Sequence, residues 1–155
     1  MPIDPPAVLF VCLGNICRSP LAEAAFRREA ATRRLAVHVD SAGTGDWHIG
    51  DPPDPRARAT AKRHGIEIGG YRARQVAPGD YRRFTHIFAL DAANLLELRR
   101  RAPADATAQL ALLLDLVPGR EGQGVVDPYF GEPAGFEATW SDVTAAAATL
   151  AARLG

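Results

Sequence analysis

The sequence predicts an α/β fold, a four-stranded parallel sheet flanked by helices on both faces, in a single domain spanning residues 1–155. Two observations lead to this prediction. Short apolar segments typical of buried strands alternate along the chain with segments in which apolar residues recur at helical spacing. A length of 155 residues also suits one domain with a substantial core rather than two.

Four segments are predicted to be strands. The first, residues 7–11, is a continuous apolar run, which is typical of a strand buried on both faces of a parallel sheet. The others are residues 37–41, 85–90 and 108–114, and the last of these also suits a helix. Ligands of such folds bind outside the carboxyl ends of the strands, so the loop after the first strand is a candidate site.

Signals for helix ends lie between these strands. Ser19 is a favourable N-cap and Pro20 suits the first helical position, so the first helix is expected to begin there. Further helices are expected from Asp54-Pro55 to Gly65, over residues 92–101 behind the cap Asp91, and over residues 134–154.

Composition excludes several classes of protein. Lys+Arg and Asp+Glu are equal at 18 each, and this balance argues against general binding to nucleic acid or to a membrane surface. Apolar runs such as residues 110–114 are too short for a membrane span, and residues 1–6 lack the positive region of a signal peptide. Only two cysteines are present, so a disulfide-stabilised scaffold is not expected. We expect a cytoplasmic protein, with secretion by a route without a signal peptide left open.

The segment between the first strand and the first helix has the composition of a phosphate-binding loop. Residues 12–19 read Cys-Leu-Gly-Asn-Ile-Cys-Arg-Ser, and a helix N-terminus with converging backbone N–H groups attracts an anion. Gly14 and Asn15 tolerate positive φ, which a tight loop requires. Arg18 offers a planar fork of donors that matches two phosphate oxygens. Such a loop would hold a tetrahedral dianion without a metal.

Cys12 is the candidate nucleophile of this loop. A positive environment favours the thiolate, and Ser19 is placed to donate a hydrogen bond to the sulfur. The alternative is that Cys12 and Cys17 are small buried apolar residues, the commonest fate of a free cysteine. The combination with Arg18 and with the glycine and asparagine between them favours the catalytic interpretation. A metal site is not expected, because the two cysteines lack zinc spacing and the four histidines are scattered.

Asp127 is the candidate proton donor for a leaving oxygen. It follows a glycine-rich loop and so could reach the site, and a carboxyl group near neutral pH can act as acid only if its environment favours the protonated form. The alternative for an Asp-Pro pair is a turn. Tyr129 beside it could flank an aromatic substrate.

Residues 11–20, Val-Cys-Leu-Gly-Asn-Ile-Cys-Arg-Ser-Pro, resemble the signature of the low-molecular-weight protein tyrosine phosphatases. Further segments follow in that family's order and approximate spacing: residues 40–43, 46–50, 52–56, 64–66, 73–75, 91–94 and 127–129. The resemblance thus covers most of the chain, and the loop together with the late Asp-Pro-Tyr is specific as a pair.

The resemblance implies a role for each residue of the site. Cys12 would form a phosphocysteine, Arg18 would bind phosphate and stabilise the transition state, and Asp127 would act first as general acid and then as base. Asn15 would hold the strained loop through a network that includes Ser41, and Ser19 would support the thiolate. The residues expected to bind phosphate or support the loop are Leu13, Gly14, Asn15, Ile16, Cys17, Ser19 and Ser41, and those expected in the substrate cleft are Trp47, Tyr129 and Phe130. No cofactor is implied.

Several points stay open at this stage. Cys17 would trap an oxidised Cys12 as a disulfide, or it would only pack beneath the loop. Trp47, without the resemblance, would be a partly buried loop anchor. Phe130 stands where many members have a second tyrosine, and Tyr71 stands where some members have a histidine that supports the loop.

The expected activity is hydrolysis of phosphotyrosine, in a protein or as a small aryl phosphate, with inorganic phosphate as product. One alternative is a thiol-dependent arsenate reductase on the same scaffold, against which stands the lack of any cysteine after Cys17. Another is a non-catalytic phosphotyrosine-binding module, which would be expected to lack Cys12 or Asp127.

Overall fold

Four parallel strands form one sheet in the order β2-β1-β3-β4. They are β1 (Ala7–Cys12), β2 (His38–Gly43), β3 (His86–Ala89) and β4 (Gln109–Leu112). The structure is a computed structural model that describes residues 5–155, so the expectation about the first six residues falls mainly outside the described residues. Each predicted strand is present, and the predicted four-stranded parallel sheet is confirmed.

Strand β1 lies in the middle of the sheet, and all six of its residues are buried. Its neighbours are β2 on one side and β3 on the other. The chain therefore leaves β1 and β3 in opposite directions, and a crevice forms at their carboxyl ends, where ligands of such folds bind. Cys12 ends β1, and Asp91 follows closely after β3.

The described residues form five α-helices around the sheet: α1 (Arg18–Thr32), α2 (Pro55–Arg63), α3 (Asp80–Arg83), α4 (Ala92–Arg101) and α5 (Ala134–Leu154). Alternate residues of β1 enter two separate cores. Phe10 packs with Phe26 of α1 and Phe136 of α5, whereas Leu9 packs with Leu98 of α4 on the opposite face. The helices thus lie on both faces, as predicted. Within residues 5–155, no helix is both long and apolar enough to cross a bilayer.

The first helix begins two residues earlier than predicted. Cys17, not Ser19, occupies the N-cap position, and it makes no capping hydrogen bond through its side chain. Ser19 already lies within the helix, because its hydroxyl is engaged by the side chains of Cys12 and Asn15 instead of a backbone N–H. By contrast, Asp54 and Asp91 cap their helices as predicted, accepting hydrogen bonds from the backbone N–H of Arg56 and Asn94.

Two further details differ from expectation. The segment 108–114 contains both kinds of structure: strand β4 is followed by one 3₁₀ turn (Leu113–Leu116). The strand interpretation is therefore correct for its first part, and its last two residues are helical. Helix α3 was not predicted, because four residues are too few to show a helical period.

Candidate active site

The loop after β1 is held in place by the chain that follows β2. The backbone N–H of Thr44 donates to the carbonyl of Cys12, and that of Gly45 donates to the carbonyl of Leu13, each at a distance of 2.9 Å. Gly43 makes this approach possible, since a Cβ atom there would lie 2.7 Å from the Leu13 carbonyl oxygen. The position therefore requires glycine, which the sequence alone did not indicate.

Asn15 is the residue of the loop that takes positive φ, at 58°. Gly14, the other candidate, does not adopt that conformation. Asparagine tolerates the left-handed region because its short side chain can hydrogen-bond to the nearby backbone. In this loop the Asn15 side chain instead bonds residues of other segments. The backbone N–H of Asn15 also donates to Cys12 Sγ over 3.3 Å, so the loop conformation directs a donor at the sulfur.

The orientation of the Asn15 amide follows from its neighbours. Its Oδ1 accepts from the backbone N–H of Arg74 over 3.0 Å, and a backbone N–H can only donate. The Nδ2 group must then face the hydroxyls of Ser19 and Ser41, at 2.8 and 3.0 Å. Both hydroxyls consequently accept from Asn15 and have their own hydrogens free for another partner.

Those hydrogens have clear acceptors. The Ser41 hydroxyl donates to Glu23 Oε1 over 2.6 Å, and Ser19 Oγ lies 3.0 Å from Cys12 Sγ. The other acceptor near Ser19, the Ala42 carbonyl, is farther away at 3.5 Å. Two donors, the Ser19 hydroxyl and the Asn15 N–H, therefore converge on Cys12 Sγ, which is the arrangement that a thiolate needs.

Arg18 is buried at the base of the cleft and is held by two acceptors. Its Nη1 donates to Asp91 Oδ2 over 2.7 Å and to the Val125 carbonyl over 3.0 Å. Burial disfavours the cation, but the negative charge at Cys12 and the hydrogen bond to Asp91 outweigh it and raise the pKa of Arg18. The guanidinium is thus a permanent, fixed cation beside the sulfur.

Asp127 lies next to this cation. Its Oδ2 is 3.7 Å from Arg18 Nη2, and its Oδ1 accepts from the backbone N–H of Tyr129 over 3.1 Å. The side chain is 42% exposed, so it faces the open cleft rather than the core. The turn expected for Asp-Pro and the approach to the site expected for Asp127 both occur.

One cleft contains these groups, with apolar walls above a polar base. It is lined by Cys12, Leu13, Gly14, Ile16, Cys17, Arg18, Trp47, His48, Asp127, Tyr129 and Phe130. Trp47 is 68% exposed, so its alternative interpretation as a partly buried anchor is wrong, and Phe130 projects almost fully into solvent at the mouth. Ser41 and Ser19 lie behind the loop and are buried. Among residues 5–155, no group of three or more His, Cys, Asp or Glu side chains is arranged to hold a metal ion.

Cys17 shares the cleft but differs in character from Cys12. Burial and the nearby Asp54 carboxylate raise the pKa of the Cys17 thiol, so it is neutral at physiological pH. Both cysteines are free. The disulfide that the resemblance implies between them stays a prediction.

Tyr71 departs from the family pattern, and the segment around it contacts the loop through another residue. It is half-buried, and burial together with the Glu23 carboxylate raises the pKa of its phenol. The support that this segment gives to Asn15 comes from the backbone N–H of Arg74, which does not depend on the side chain at position 71.

Several residues of the site were missed from the sequence. Glu23 ends the hydrogen-bond chain, Arg74 orients Asn15, and His48 lines the cleft. Asp91 was predicted only as a helix cap, whereas it also holds Arg18. The one available signal was that residues 46–50, 73–75 and 91–94 carried part of the resemblance.

Comparison with known proteins agrees with this geometry. The sequence model of the family described as low molecular weight phosphotyrosine protein phosphatase matches residues 7–155. A Schizosaccharomyces pombe protein of that name is 42% identical over 132 residues, covering 83% of this chain and 84% of the relative. The Bacillus subtilis low molecular weight protein-tyrosine-phosphatase YfkJ is 47% identical over 126 residues, covering 80% and 81%.

Solved structures extend the likeness to the fold. The crystal structure of YfkJ from Bacillus subtilis superposes with a TM-score of 0.90 at 41% identity, covering 97% of this chain and 95% of that one. The Drosophila arginine phosphatase DARP superposes with a TM-score of 0.89 at 34% identity, covering 94% and 96%. The activity named for these curated relatives is that of a phosphoric monoester hydrolase. The match of the family model to nearly the whole chain shows that this chain belongs to the low-molecular-weight phosphotyrosine protein phosphatase family.

Proposed function

We propose that this protein hydrolyses phosphotyrosine and other aryl phosphates through a phosphocysteine at Cys12. The observation that carries the proposal is the convergence of the Ser19 hydroxyl and the Asn15 N–H on Cys12 Sγ, with Arg18 and Asp127 in the same cleft. The substrate is a phosphotyrosine-containing protein or a small aryl phosphate, and inorganic phosphate is the product.

In the first step the Cys12 thiolate attacks phosphorus, an S–P bond forms and the P–O bond to the aryl group breaks. The electron pair leaves on the phenolic oxygen, and protonated Asp127 supplies the proton that this oxygen takes up. Arg18 and the backbone N–H groups of the loop bind the equatorial oxygens, where charge is spread in the transition state.

In the second step water attacks phosphorus and the S–P bond breaks. Asp127, now a carboxylate, takes a proton from the water, and the electron pair of the broken bond returns to Cys12. The Ser19 hydroxyl and the Asn15 N–H stabilise the departing thiolate. Inorganic phosphate is released and the starting protonation states are restored.

The walls of the cleft favour an aromatic ring over a guanidinium group. Leu13, Ile16, Trp47 and Tyr129 offer apolar and π surfaces to a phenyl ring. Phosphoarginine is the second candidate because the similar Drosophila protein is named an arginine phosphatase. Among the described residues that line the cleft, Asp127 is the one carboxylate. It already lies beside Arg18, so the cleft offers no second carboxylate to pair with the guanidinium of a phosphoarginine.

The test compares the wild type, Cys12→Ser and Asp127→Ala on phenyl phosphate, a phosphotyrosine peptide, a phosphoarginine peptide and arsenate with thiol. We expect no turnover by Cys12→Ser, and a loss by Asp127→Ala of roughly 10²-fold or more on the phosphotyrosine peptide. Rapid-quench labelling should recover phosphate on Cys12. Asp105→Asn is the matched control, because Asp105 pairs with Arg82 near the opposite end of the sheet.

Four other outcomes would contradict the proposal, and each indicates a different alternative. Phosphate release that survives Cys12→Ser would contradict the mechanism. Faster turnover of the phosphoarginine peptide would contradict the aryl substrate. Arsenate reduction without phosphate release would indicate a reductase, and tight phosphotyrosine binding without turnover would indicate a binding module.

A further inference from the structure

Arg56 lies between the phosphate-binding loop and the loop that carries Asp127. Its Nε donates to Asp54 Oδ1 and its Nη2 to Asp54 Oδ2, each at a distance of 3.0 Å, in a bidentate ion pair. On its other side the guanidinium carbon lies 5.5 Å from the centroid of the Tyr129 ring and 4.8 Å from that of Phe136. These distances are within the range of cation–π attraction.

The Asp54 end of this contact is joined to the phosphate-binding loop. The backbone N–H of Asp54 donates to the Ile16 carbonyl over 2.8 Å, and Asp54 Oδ1 also accepts from the backbone N–H of Arg56. Burial opposes ionisation of Asp54, but the hydrogen bonds from Arg56 outweigh it and lower the pKa of this carboxyl. Asp54 is therefore a fixed anion that holds Arg56 in one direction.

The Tyr129 end is joined to the general acid. The backbone N–H of Tyr129 donates to Asp127 Oδ1, and this hydrogen bond keeps Oδ2 turned toward Arg18. The other ring, Phe136, is fully buried in the first turn of α5 and anchors the far end of the same loop. A displacement of Tyr129 would thus move the carboxyl group with it.

We propose that Arg56 is a positioning residue for the general acid. It ties the Asp127 loop to the phosphate-binding loop through Tyr129. This inference rests on the proposed role of Asp127 as the acid. Arginine is required because one planar group must pair with a carboxylate along its edge and stack on rings with its face, which lysine cannot do.

The test measures kcat/KM for Arg56→Met and Arg56→Lys on a series of aryl phosphates whose phenols range from strongly to weakly acidic. A strongly acidic phenol leaves without help, whereas a weakly acidic one needs the proton from Asp127. General acid catalysis contributes roughly 10²–10⁴-fold, and a displaced acid loses part of it. For Arg56→Met we expect near wild-type kcat/KM on the most acidic phenol and a loss of about 10-fold or more on the least acidic. Arg56→Lys should lose nearly as much.

Two further measurements separate positioning from general damage. Inhibition by inorganic phosphate should be unchanged in Arg56→Met, since the phosphate-binding loop stays intact. Arg58→Met is the matched control, because this neighbouring arginine of α2 pairs with the exposed Glu67 instead. We expect Arg58→Met to follow the wild type across the series.

The decisive comparison is with Asp127→Asn. If Arg56 acts through Asp127, then adding Arg56→Met to Asp127→Asn should cause little further loss. An equal loss on every aryl phosphate, or an equal loss with and without Asp127, would overturn the proposal and leave Arg56 a purely structural role. If the loss of kcat/KM in Asp127→Asn is the same for every leaving group, Asp127 is not the general acid. That result contradicts the proposed function and is distinct from a failure of the Arg56 proposal.

Discussion

Asn15 combines a backbone requirement with a side-chain requirement at a single position. Its φ of 58° lets the loop turn so that its own N–H reaches Cys12 Sγ. Its amide then accepts from Arg74 and donates to Ser19 and Ser41, which leaves the Ser19 hydrogen free for the sulfur. Glycine could supply the backbone and not the amide, whereas glutamine would place the amide elsewhere.

Substitution at Asn15 should separate these two requirements. Asn15→Gly and Asn15→Ala lose the same side-chain bonds, but alanine also pays about 1–2 kcal/mol for the left-handed conformation. We expect Asn15→Gly to be the more stable of the two by about 1 kcal/mol in urea unfolding, the reverse of the usual order of glycine and alanine. Both variants should lose most phosphatase activity, since neither orients Ser19. Equal activity of Asn15→Gly and the wild type would show that the amide is dispensable.

Among the secondary-structure elements, α4 begins at a carboxylate, Asp91, that both caps the helix and holds a residue of the site. Asp91 Oδ1 accepts from the backbone N–H of Asn94 and begins the helix, while Oδ2 accepts from Arg18 Nη1. Arg18 also bonds the Val125 carbonyl, so β3, α4 and the segment before Asp127 all meet at one guanidinium. The cap is a local property, and the ion pair is a tertiary one.

Asp91→Asn should affect the site and spare the helix. Both Asp91→Asn and Asp91→Ala lose the ion pair with Arg18, but asparagine is as good an N-cap as aspartate, so Asp91→Asn should be more stable to unfolding than Asp91→Ala by about 1 kcal/mol. The hydrogen bond from Arg18 loses its charged acceptor, and hydrogen bonds to charged groups are worth about 1.5–3 kcal/mol, so we expect kcat/KM to fall roughly 10-fold. Unfolding and aryl phosphate kinetics on both variants check this. Wild-type kinetics in Asp91→Asn would show that the negative charge at position 91 is not needed to hold Arg18.

At the scale of the whole molecule, β1 couples two cores that share no helix. Phe10 faces the core of α1 and α5, and Leu9 faces the core that contains Leu98 and Tyr81. Because adjacent residues of one strand belong to opposite cores, neither core can open without disturbing the strand that carries Cys12. We therefore expect the chain to unfold as the single domain that its length predicts.

Leu98→Ala tests this coupling. Leu98 is fully buried, and removing its side chain should cost about 2–5 kcal/mol. Trp140 lies in the other core and reports on it by fluorescence, while the exposed Trp47 adds a nearly constant background. In a cooperative domain the fluorescence transition of Trp140 and the far-UV circular dichroism transition should shift together to lower urea. A shift in circular dichroism without one in fluorescence would indicate two independently folding halves.

The features that could be predicted from the sequence are those that depend on residues close together along the chain. The apolar run of β1, the Asp54 and Asp91 caps and the spacing of Cys12 to Arg18 all involve residues within one strand or about two helical turns. Such spacing translates directly into geometry, because a strand and a helix have fixed periods. The predicted start of α1 was wrong by two residues, because the Ser19 hydroxyl contacts Cys12 and Asn15 instead of capping the helix.

The distant side chains that complete the site could not be predicted from local patterns, because they meet only when the elements pack together. Asp127 reaches Arg18, Asp91 Oδ2 meets the same guanidinium, and Arg56 stacks on Tyr129, although none of these pairs shares a local pattern. Their meeting depends on the strand order, which brings the ends of β1 and β3 together, and on packing of α5 against α1. Local spacing thus places Cys12 and Arg18 in one loop, whereas the contacts that hold this loop and bring Asp127 to it depend on the packing of distant elements.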